Sequence, residues 1–358
     1  MADIFRMHVL AAGHGDCLWI EYGDAQAPQR ILVDAGTTGT YKRLKPKLDA
    51  VRGAAPSHEL FLVTHIDADH IGGALGVLKD AQLAAQFKEI WFNGRSHLEA
   101  AKKVEPFGAV QGEKLSKLIL DNDVAWNMSV GGAPLMREVG KKLIAHPMGE
   151  AVVTVLTPTA KELIELSKKW DEEIKKAGLA PKVKAEEPVK KSASGFEAFG
   201  GGGVAALAKE VVQEDTAPAN GSSISTLIEY KGKRLLLGAD AHPSVLLAGV
   251  KHLQPEGRLK VDVFKLPHHG SSANVTSALL DAVDADVVVF SSNGAYFQHP
   301  DQAAVARVLA RYKGQGVRLL FNYLSEFNKM WDCDSLRRDW TYTTTFGAGQ
   351  EGVMLELL

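Results

Sequence analysis

Four side chains that can bind a divalent cation lie within six residues of one another in the first quarter of the chain. The segment Thr64–Gly73 reads THIDADHIGG, and its potential ligands are His65, Asp67, Asp69 and His70. Period-two spacing puts the first three on one side of an extended backbone, and a turn into a helix brings His70 round to join them. Imidazole and carboxylate ligands together suit Zn²⁺, Mn²⁺ or Fe²⁺. The cluster therefore predicts a metal site.

The alternative interpretation of this cluster is a helix cap. Aspartate is a favoured N-cap residue, and acidic side chains suit the first turn of a helix. A cap needs only one carboxylate, however, and it does not account for two histidines and a second aspartate in the same turn. The residues therefore favour metal binding. The glycines that follow, Gly72 and Gly73, would let the helix pack closely against its neighbours.

Three later stretches carry polar side chains just past an apolar strand. They are RLLLGAD, which ends at Asp240, FKLPHHGSS, with His268, His269, Ser271 and Ser272, and SSNGAYFQHP, with Asn293 and His299. The carboxyl ends of neighbouring strands in an α/β fold meet at one edge of the sheet, where such folds place their chemistry. Five of the 12 histidines lie in these stretches and the first motif. We expect these stretches to form one site.

The elements that must position these clusters alternate between β-rich runs and amphipathic stretches, which is typical of an α/β protein. The strands predicted just before the clusters are Leu60–Thr64, Arg234–Gly238, Asp262–Leu266 and Asp286–Phe290. The predicted helices include Gly112–Leu120, Lys161–Ile174, Val275–Val283 and Gln302–Lys313.

One segment, residues 167–215, differs in composition from the rest. It has eight lysines and five acidic residues between Ser167 and Lys191, and a run of four glycines at Gly200–Gly203. Such a stretch has little apolar material to bury and high backbone entropy, so we expect a flexible insertion. It would be a solvated loop or, alternatively, a lid over the substrate.

The overall composition is that of an ordinary globular protein, with 46% hydrophobic and 23% charged residues in a chain of 358. The net charge of −2 excludes a global basic field that would hold polyanions nonspecifically. Cys17 and Cys333 cannot form a cysteine-based zinc site. With neither a signal peptide nor a long apolar run, the chain is expected to be cytoplasmic and to have no membrane partner.

In combination, the motifs resemble the metallo-β-lactamase-fold superfamily, whose usual motif is His-x-His-x-Asp-His. They are most similar to the branch related to the hydrolase domain of bacterial competence proteins for DNA uptake, in which Asp replaces the second His, as at Asp67. Two early turns agree with that branch: GHGD, which contains Asp16, and DAG, which begins at Asp34. The resemblance spans about residues 4–321.

The resemblance implies a four-layer αββα sandwich, an α/β fold made by a single domain over residues 1–358. It also implies that His65 and Asp67 serve one metal position, that Asp69 and His70 serve the other, and that Asp240 bridges them. His268 or His269 would complete the ligand set. Spacing does not choose between these two, because adjacent side chains on an extended segment point apart.

Further residues would support the metal or meet the substrate. Asp34 would hold a metal ligand from behind, and His299 would bind substrate or stabilise the transition state, with a capping role before Pro300 as an equal alternative. The remaining residues expected around the metal or the substrate are Asp16, Ser271, Ser272 and Asn293.

The chain departs from the superfamily in one respect. The usual further metal-binding histidine between the first motif and the bridging aspartate has no evident counterpart. One metal position is therefore expected to have fewer nitrogen ligands and more solvent. We expect one or two divalent ions, with Mn²⁺ as plausible as Zn²⁺.

Such a site predicts hydrolysis by a metal-activated water, with Asp69, His70 and His299 as catalytic residues. The hydroxyls of Ser271 and Ser272, with backbone N–H groups at a helix start, suit a phosphate oxygen. The expected substrate is a phosphodiester in a phosphate-containing small molecule or an oligonucleotide, cleaved by a nuclease or nucleotide phosphodiesterase. The alternative enzyme is an ester, lactone or thioester hydrolase. A non-catalytic role is disfavoured, because the three aspartates would repel one another without a cation.

Overall fold

Two β-sheets stack face to face in the computed structural model, which describes residues 2–101, 114–176, 201–349 and 351–358. The strands are β1 Asp3–Val9, β2 Leu18–Asp24, β3 Gln29–Val33, β4 Leu60–Leu62, β5 Ile90–Trp91, β6 Ala145–Met148, β7 Ala151–Val155, β8 Thr226–Tyr230, β9 Lys233–Leu237, β10 Leu259–Lys265, β11 Val283–Phe290, β12 Val317–Phe321, β13 Tyr342–Phe346 and β14 Val353–Glu356.

Helices lie between these strands along the chain. They are α1 Tyr41–Val51, α2 Ala68–Lys79, α3 Ala81–Ala84, α4 Arg95–Ala101, α5 Lys114–Asp121, α6 Ala160–Lys176, α7 Gly201–Ala208, α8 Pro218–Gly221, α9 Pro243–Leu253, α10 Ser277–Asp281, α11 Gln302–Arg311 and α12 Asp334–Trp340, with short 3₁₀ turns at Met128–Val130, Pro267–Gly270 and Lys329–Trp331. Among the described residues, no helix has the length and apolar character needed to span a membrane.

The two sheets differ in strand order and direction. The six-stranded sheet has the order β14-β1-β2-β3-β4-β5, and its pairs are antiparallel except for β3 with β4 and β4 with β5. The eight-stranded sheet has the order β13-β12-β11-β10-β9-β8-β7-β6. Strands β9 to β13 run parallel, and β6 to β9 pair antiparallel. The carboxyl ends of parallel strands lie at the same edge of a sheet, and the candidate residues follow the strands at this edge.

Alternation along the strands builds four layers. In β3, Ile31 and Val33 point into the core between the sheets, whereas Leu32 points outward under helices of the first sheet. In β9, Leu235 and Leu237 point into the same inner core. Leu236 faces outward, under the helices of the second sheet. Apolar side chains on both faces of a sheet require cover on both faces, so the sequence itself dictates helices outside two stacked sheets. The predicted four-layer αββα sandwich is confirmed.

The strands predicted before the functional clusters are confirmed as β4, β9, β10 and β11. Most of their predicted first and last residues lie within two residues of the observed ones. The predicted helices correspond to α5, α6, α10 and α11, although residues 112 and 113 of the first lie outside the described residues. Past residue 321, where the resemblance ends, β13 extends the second sheet and β14 pairs with β1 in the first. The chain therefore contributes to both sheets again after the last functional cluster.

The segment 167–215 is structured at both ends. Its first residues are the second half of α6, where Trp170 and Ile174 are buried against the first sheet's helices. After the gap, Val204 of α7 is buried in the outer core of the second sheet. Residues 177–200 lie outside the described residues. The expectation of a flexible insertion therefore now concerns that stretch alone, and it stays a prediction, as does the single-domain organisation.

Candidate metal centre

The first motif lies in the connection from β4 to α2. Asp67 occupies the N-cap position of α2, yet its side chain makes no capping hydrogen bond. Asp69 lies within the first helical turn and is buried. The capping alternative therefore does not explain the aspartates, and both carboxylates remain available to a cation.

Close packing of α2 fixes the orientation of this motif, as its two glycines predict. A Cβ on Gly73 would come within 2.1 Å of the Ala35 carbonyl oxygen, so only glycine fits there. The Ala35 N–H donates to the His70 carbonyl and the Gly73 N–H donates to the Gly36 carbonyl, each at 3.0 Å. The first turn of α2 is thereby pinned against the loop that carries Asp34.

Four buried side chains converge on what we call the inner position: Asp69, His70, His269 and Asp240. His70 Nε2 lies 3.3 Å from Asp240 Oδ2 and 3.3 Å from His269 Nε2. His269 Nε2 lies 3.3 Å from Asp69 Oδ2. Three ligand atoms, His70 Nε2, Asp69 Oδ2 and Asp240 Oδ2, therefore lie within 3.6 Å of His269 Nε2.

A second group, the outer position, consists of His65, Asp67 and the same Asp240. His65 Nε2 lies 3.7 Å from Asp67 Oδ2 and 3.9 Å from Asp240 Oδ2. His65 Nε2 and Asp240 Oδ1 are buried and have no hydrogen-bond partner. The side chain of Asp67 is 36% exposed, so this position opens toward solvent. Asp240 stands between the two groups, as a bridging ligand would.

His268 and His269 do not lie on an extended segment, and the reasoning that one must point away is wrong. Both have left-handed backbone conformations, with φ of 47° and 55°. Such conformations cost non-glycine residues about 1 kcal/mol or more each. The turn brings both imidazoles to Asp240, whose Oδ2 lies 3.6 Å from His269 Nε2 and 3.8 Å from His268 Nε2. His269 joins the inner position, and His268 lies beside it.

Asp34 lies behind the inner position, where the resemblance places it. Its Oδ2 lies 2.8 Å from His70 Nδ1, and its two oxygens accept hydrogen bonds from the backbone N–H and the hydroxyl of Thr64. A carboxylate on Nδ1 holds the histidine so that Nε2 faces the cation.

Asp16 lies on the Nδ1 side of His269, with Oδ1 3.2 Å from Nδ1, although that nitrogen makes no hydrogen bond. The buried ammonium of Lys265 and the hydroxyl of Ser291 also contact this carboxylate. Asp16, His70, Asp240 and His269 each offer one ligand atom within 4.8 Å of the others. Asp16 nevertheless faces the far side of the His269 ring from Asp69 and Asp240. We therefore regard it as a support of the inner position rather than a ligand.

The charges of the inner position depend on one another. Burial alone would lower the pKa of His70, but the carboxylates of Asp240 and Asp34 outweigh it and raise the pKa well above its usual value. Burial likewise opposes protonation of His269, yet Asp240 and Asp16 raise its pKa to about 9. Burial would raise the pKa of Asp240, and the neighbouring histidines instead hold it well below its usual range. The carboxylates therefore favour protonation of His70 and His269, and the positive charge of these protons balances the carboxylates as a cation would.

The predicted phosphate-binding role of Ser272 is not supported. Its backbone N–H and its hydroxyl both donate to Asp301 Oδ2, at 2.8 and 2.7 Å. The Ser271 hydroxyl accepts from the Ala273 N–H at 3.3 Å, and the Ser271 N–H donates to the His268 carbonyl. Both donors of Ser272 and the N–H of Ser271 are therefore used within the protein, whereas the Ser271 hydroxyl acts there only as an acceptor. Asp301, which lies 29 residues after Ser272 in the sequence, packs against this loop and accepts its hydrogen bonds.

His299 lies at the rim of the centre, and Asn293 does not meet it directly. The His299 ring centroid is 5.5 Å from that of His268, and its Nδ1 is 3.2 Å from Asp301 Oδ1. Burial lowers the pKa of His299. The Asn293 backbone N–H donates to the Gly13 carbonyl, and its Oδ1 accepts from the Ala295 N–H. Asn293 shapes the loop, whereas His299 faces the ligands.

A buried amide that the sequence motifs do not indicate, that of Asn220 in α8, also lies beside His268. Its Nδ2 donates to Asp215 Oδ2 at 2.7 Å and lies 3.4 Å from His268 Nδ1. Its Oδ1 is buried without a hydrogen-bond partner. The sequence carried a weak signal, because Asn220 stands just before β8, within the interval where the further metal-binding histidine is expected and absent. Asp215 and Asn274, which both contact His268, were also missed.

The residues of the two positions fit a divalent cation. Three aspartates and three histidines converge, and two of the buried polar atoms that face the centre have no partner in the protein. Without a cation, burying such a set of carboxylates and imidazoles is costly. Mixed oxygen and nitrogen ligands suit Zn²⁺, Mn²⁺ or Fe²⁺.

Comparisons with known proteins found similarity to one family model and to several solved structures. Residues 12–85 match the family model of the metallo-beta-lactamase superfamily. No curated protein matches the chain. Solved structures similar to the chain include the metallo-beta-lactamase fold protein YhfI from Bacillus subtilis, with 8% identity, a TM-score of 0.44 and coverage of 99% of this chain and 100% of that one.

Two further solved structures are similar at the same level. The short form of human tRNase Z has 10% identity and a TM-score of 0.41, with 98% of each chain covered. Zn²⁺-bound PqqB from Methylobacterium extorquens has 10% identity and a TM-score of 0.42, with 98% of this chain and 100% of that chain covered. The fold is the metallo-β-lactamase fold, and the match over residues 12–85 supports the superfamily without singling out the competence-related branch.

Proposed function

We propose that the protein is a metal-dependent hydrolase that cleaves phosphodiesters. The observation that carries the proposal is the pair of adjacent cation positions joined by Asp240, with His65 and Asp67 on one side and Asp69, His70 and His269 on the other. Paired positions of this kind recur in phosphatases and nucleases, where they hold the attacking and leaving oxygens of an in-line displacement.

When bound, divalent ions would supply a water of lowered pKa as the nucleophile and neutralise charge on the phosphate oxygens. Asp69, His70 and His269 would hold the inner ion, and His65 and Asp67 the outer one. Asp34 keeps His70 oriented by a hydrogen bond to Nδ1, and the Asp16 carboxylate lies 3.2 Å from Nδ1 of His269.

His299 is the residue that we assign to the substrate. Asp301 faces its Nδ1, so Nε2 is the nitrogen that would face the substrate. Burial lowers the pKa of His299, so near pH 7 the neutral ring would keep its proton on Nδ1, toward Asp301, and Nε2 would accept a hydrogen bond from a hydroxyl of the substrate or from a water. The net charge of −2 favours a small phosphate ester or a short oligonucleotide over long DNA.

The test is metal analysis combined with a substrate panel. Protein prepared without chelator is assayed on bis(p-nitrophenyl) phosphate and short oligonucleotides, and in parallel on a thioester and a lactone. We expect metal-dependent phosphodiester cleavage that Asp69→Ala and His70→Ala reduce by orders of magnitude.

The matched control is Asp121→Ala, which removes a surface carboxylate that pairs with Lys117 and should leave the rate unchanged. Activity that survives Asp69→Ala would identify a contaminant. Hydrolysis of the thioester or lactone with no phosphodiester cleaved would replace the proposal by the small-molecule alternative.

A further inference from the structure

Two neighbouring aromatic side chains project from the loop that follows β11. Tyr296 is 45% exposed and Phe297 is 48% exposed, and no other Phe, Tyr or Trp in the described ranges is as exposed. Isolated apolar side chains on a surface need no explanation, but adjoining aromatic rings beside a candidate active site mark a binding surface.

The loop holds these rings in place. The Asn293 N–H donates to the Gly13 carbonyl at 2.9 Å, and the Gln298 N–H donates to the Gly294 carbonyl at 3.0 Å. Gly294 has a φ of +72°, and a Cβ there would come within 2.2 Å of the Phe327 ring, which packs against the loop. A loop fixed at these points presents its aromatic side chains in one arrangement and loses little entropy when a ligand binds.

The exposed rings connect to the metal centre through ring contacts. Tyr296 stacks on His14, with centroids 4.9 Å apart and planes 19° apart, and contacts Phe297 edge-on at 4.4 Å. Phe297 stacks against His299 at 5.9 Å, and His299 contacts His268 at 5.5 Å. The aromatic surface, defined as His14, Tyr296 and Phe297, is therefore two ring contacts from a histidine that faces Asp240.

We infer that the aromatic surface binds the nucleobase next to the scissile phosphate, which would make the substrate a nucleotide-based phosphodiester. This inference rests on the proposed function for the identity of the scissile bond. Flat rings that stack are suited to the π-face of a base, and stacking accepts any base because each base has such a face. The protein should therefore select substrates that carry a base while discriminating little between bases.

The test uses a matched pair of probes that differ only in the base, adenosine 5′-monophosphate and ribose 5-phosphate. Calorimetry on the metal-loaded protein should show that adenosine 5′-monophosphate binds roughly 5- to 100-fold more tightly. In the double variant Tyr296→Ala/Phe297→Ala, the affinity for adenosine 5′-monophosphate should fall to the affinity for ribose 5-phosphate. The affinity for ribose 5-phosphate should be the same in the variant and the parent protein.

Two further variants separate stacking from other effects. Tyr296→Phe keeps the ring and should keep the preference for the base. Ile144→Ala removes an exposed apolar side chain before β6, at the far edge of the second sheet, and should change neither affinity. Equal binding of the two probes by the parent protein, no binding of adenosine 5′-monophosphate, or a base preference that survives the double variant would each overturn the inference.

The failure of the proposed function would look different. If the protein cleaves no phosphodiester but shows a base preference that the double variant abolishes, base binding by the aromatic surface would be supported and the proposed phosphodiesterase function contradicted. Conversely, the protein could cleave phosphodiesters that carry a base and phosphodiesters that lack one at equal rates and bind the two probes equally. That result would support the proposed function and contradict base binding by the aromatic surface.

Discussion

The inner and outer positions share Asp240 but differ in nearly every other respect. Both inner histidines have a carboxylate behind Nδ1, whereas the Nδ1 of His65 has only the hydroxyl of Thr64, at 3.0 Å. The side chain of Asp69 is 12% exposed and that of Asp67 is 36% exposed. The reason is local: Asp67 precedes the helix and Asp69 lies in its first turn. One short motif thereby builds a rigid, buried site and an open one side by side.

The change that affects both positions at once is Asp240→Ala, and we expect it to have the largest effect. Asp240 lies within 4 Å of a ligand nitrogen in each position, so both should lose metal and hydrolysis should cease. Elemental analysis with activity measurements checks this. Asp262→Ala, which removes a partly exposed carboxylate paired with Lys233, is the control. Retention of one full equivalent of metal would show that Asp240 does not bridge.

Substitutions within the first motif should separate the two positions. Asp69→Ala removes a buried inner ligand and should empty that position and abolish activity. Asp67→Ala should release only the outer ion and leave about one equivalent of metal tightly bound. Metal titration followed by calorimetry measures both. Equal losses in the two variants would contradict the distinction between a rigid and an open position.

Proton release should report the inner position. His269 has a pKa of about 9 without metal, so near pH 7 it carries a proton that must leave before Nε2 can bind a cation. The pKa of His70 is raised as well, so its proton must also leave. Affinity should therefore rise with pH by about tenfold per unit for each protonated histidine, and level off once both are neutral. Calorimetry in buffers of different ionisation enthalpy counts the protons released.

Asp16→Asn sharpens this measurement. Asp16 is one of the carboxylates that raise the pKa of His269, so its removal should lower that pKa and reduce the proton release near neutral pH. Unchanged proton release in this variant would mean that His269 is not the group that titrates.

The smallest effect is expected at Asn220. Its amide lies against His268, beside the inner position, and has a buried oxygen without a hydrogen-bond partner. Asn220→Ala should weaken metal binding by about tenfold, because it removes a contact of His268, which lies beside the shared ligand Asp240. Asn220→Asp, which keeps an oxygen at this place, should restore the affinity. Unchanged metal affinity in Asn220→Ala would show that the amide does not support the centre.

The sequence predicts the frame of this site better than its details. Apolar strands followed by His65, Asp240 and His268 locate the sheet edge, because strand periodicity and strand ends are local properties of the chain. The shared orientation of His268 and His269 could not be predicted, because both residues have left-handed backbone conformations and neither is a glycine, the residue type that would indicate such a conformation. Likewise, nothing local indicates that Asp301 takes the donors of Ser272, because that contact joins two loops.

The distribution of the ligands along the chain has a consequence for how the protein folds and unfolds. His70 and His269, in contact in the inner position, are 199 residues apart, at the start of α2 after the first sheet's β4 and in the turn after the second sheet's β10. Both sheets must form and meet before the inner position exists, so a metal ion cannot act as a nucleus for folding. An ion bound there contributes after the rate-limiting step of folding and must be released, or its ligands parted, before the sheets separate. Metal loading is therefore expected to slow unfolding and to leave the folding rate unchanged.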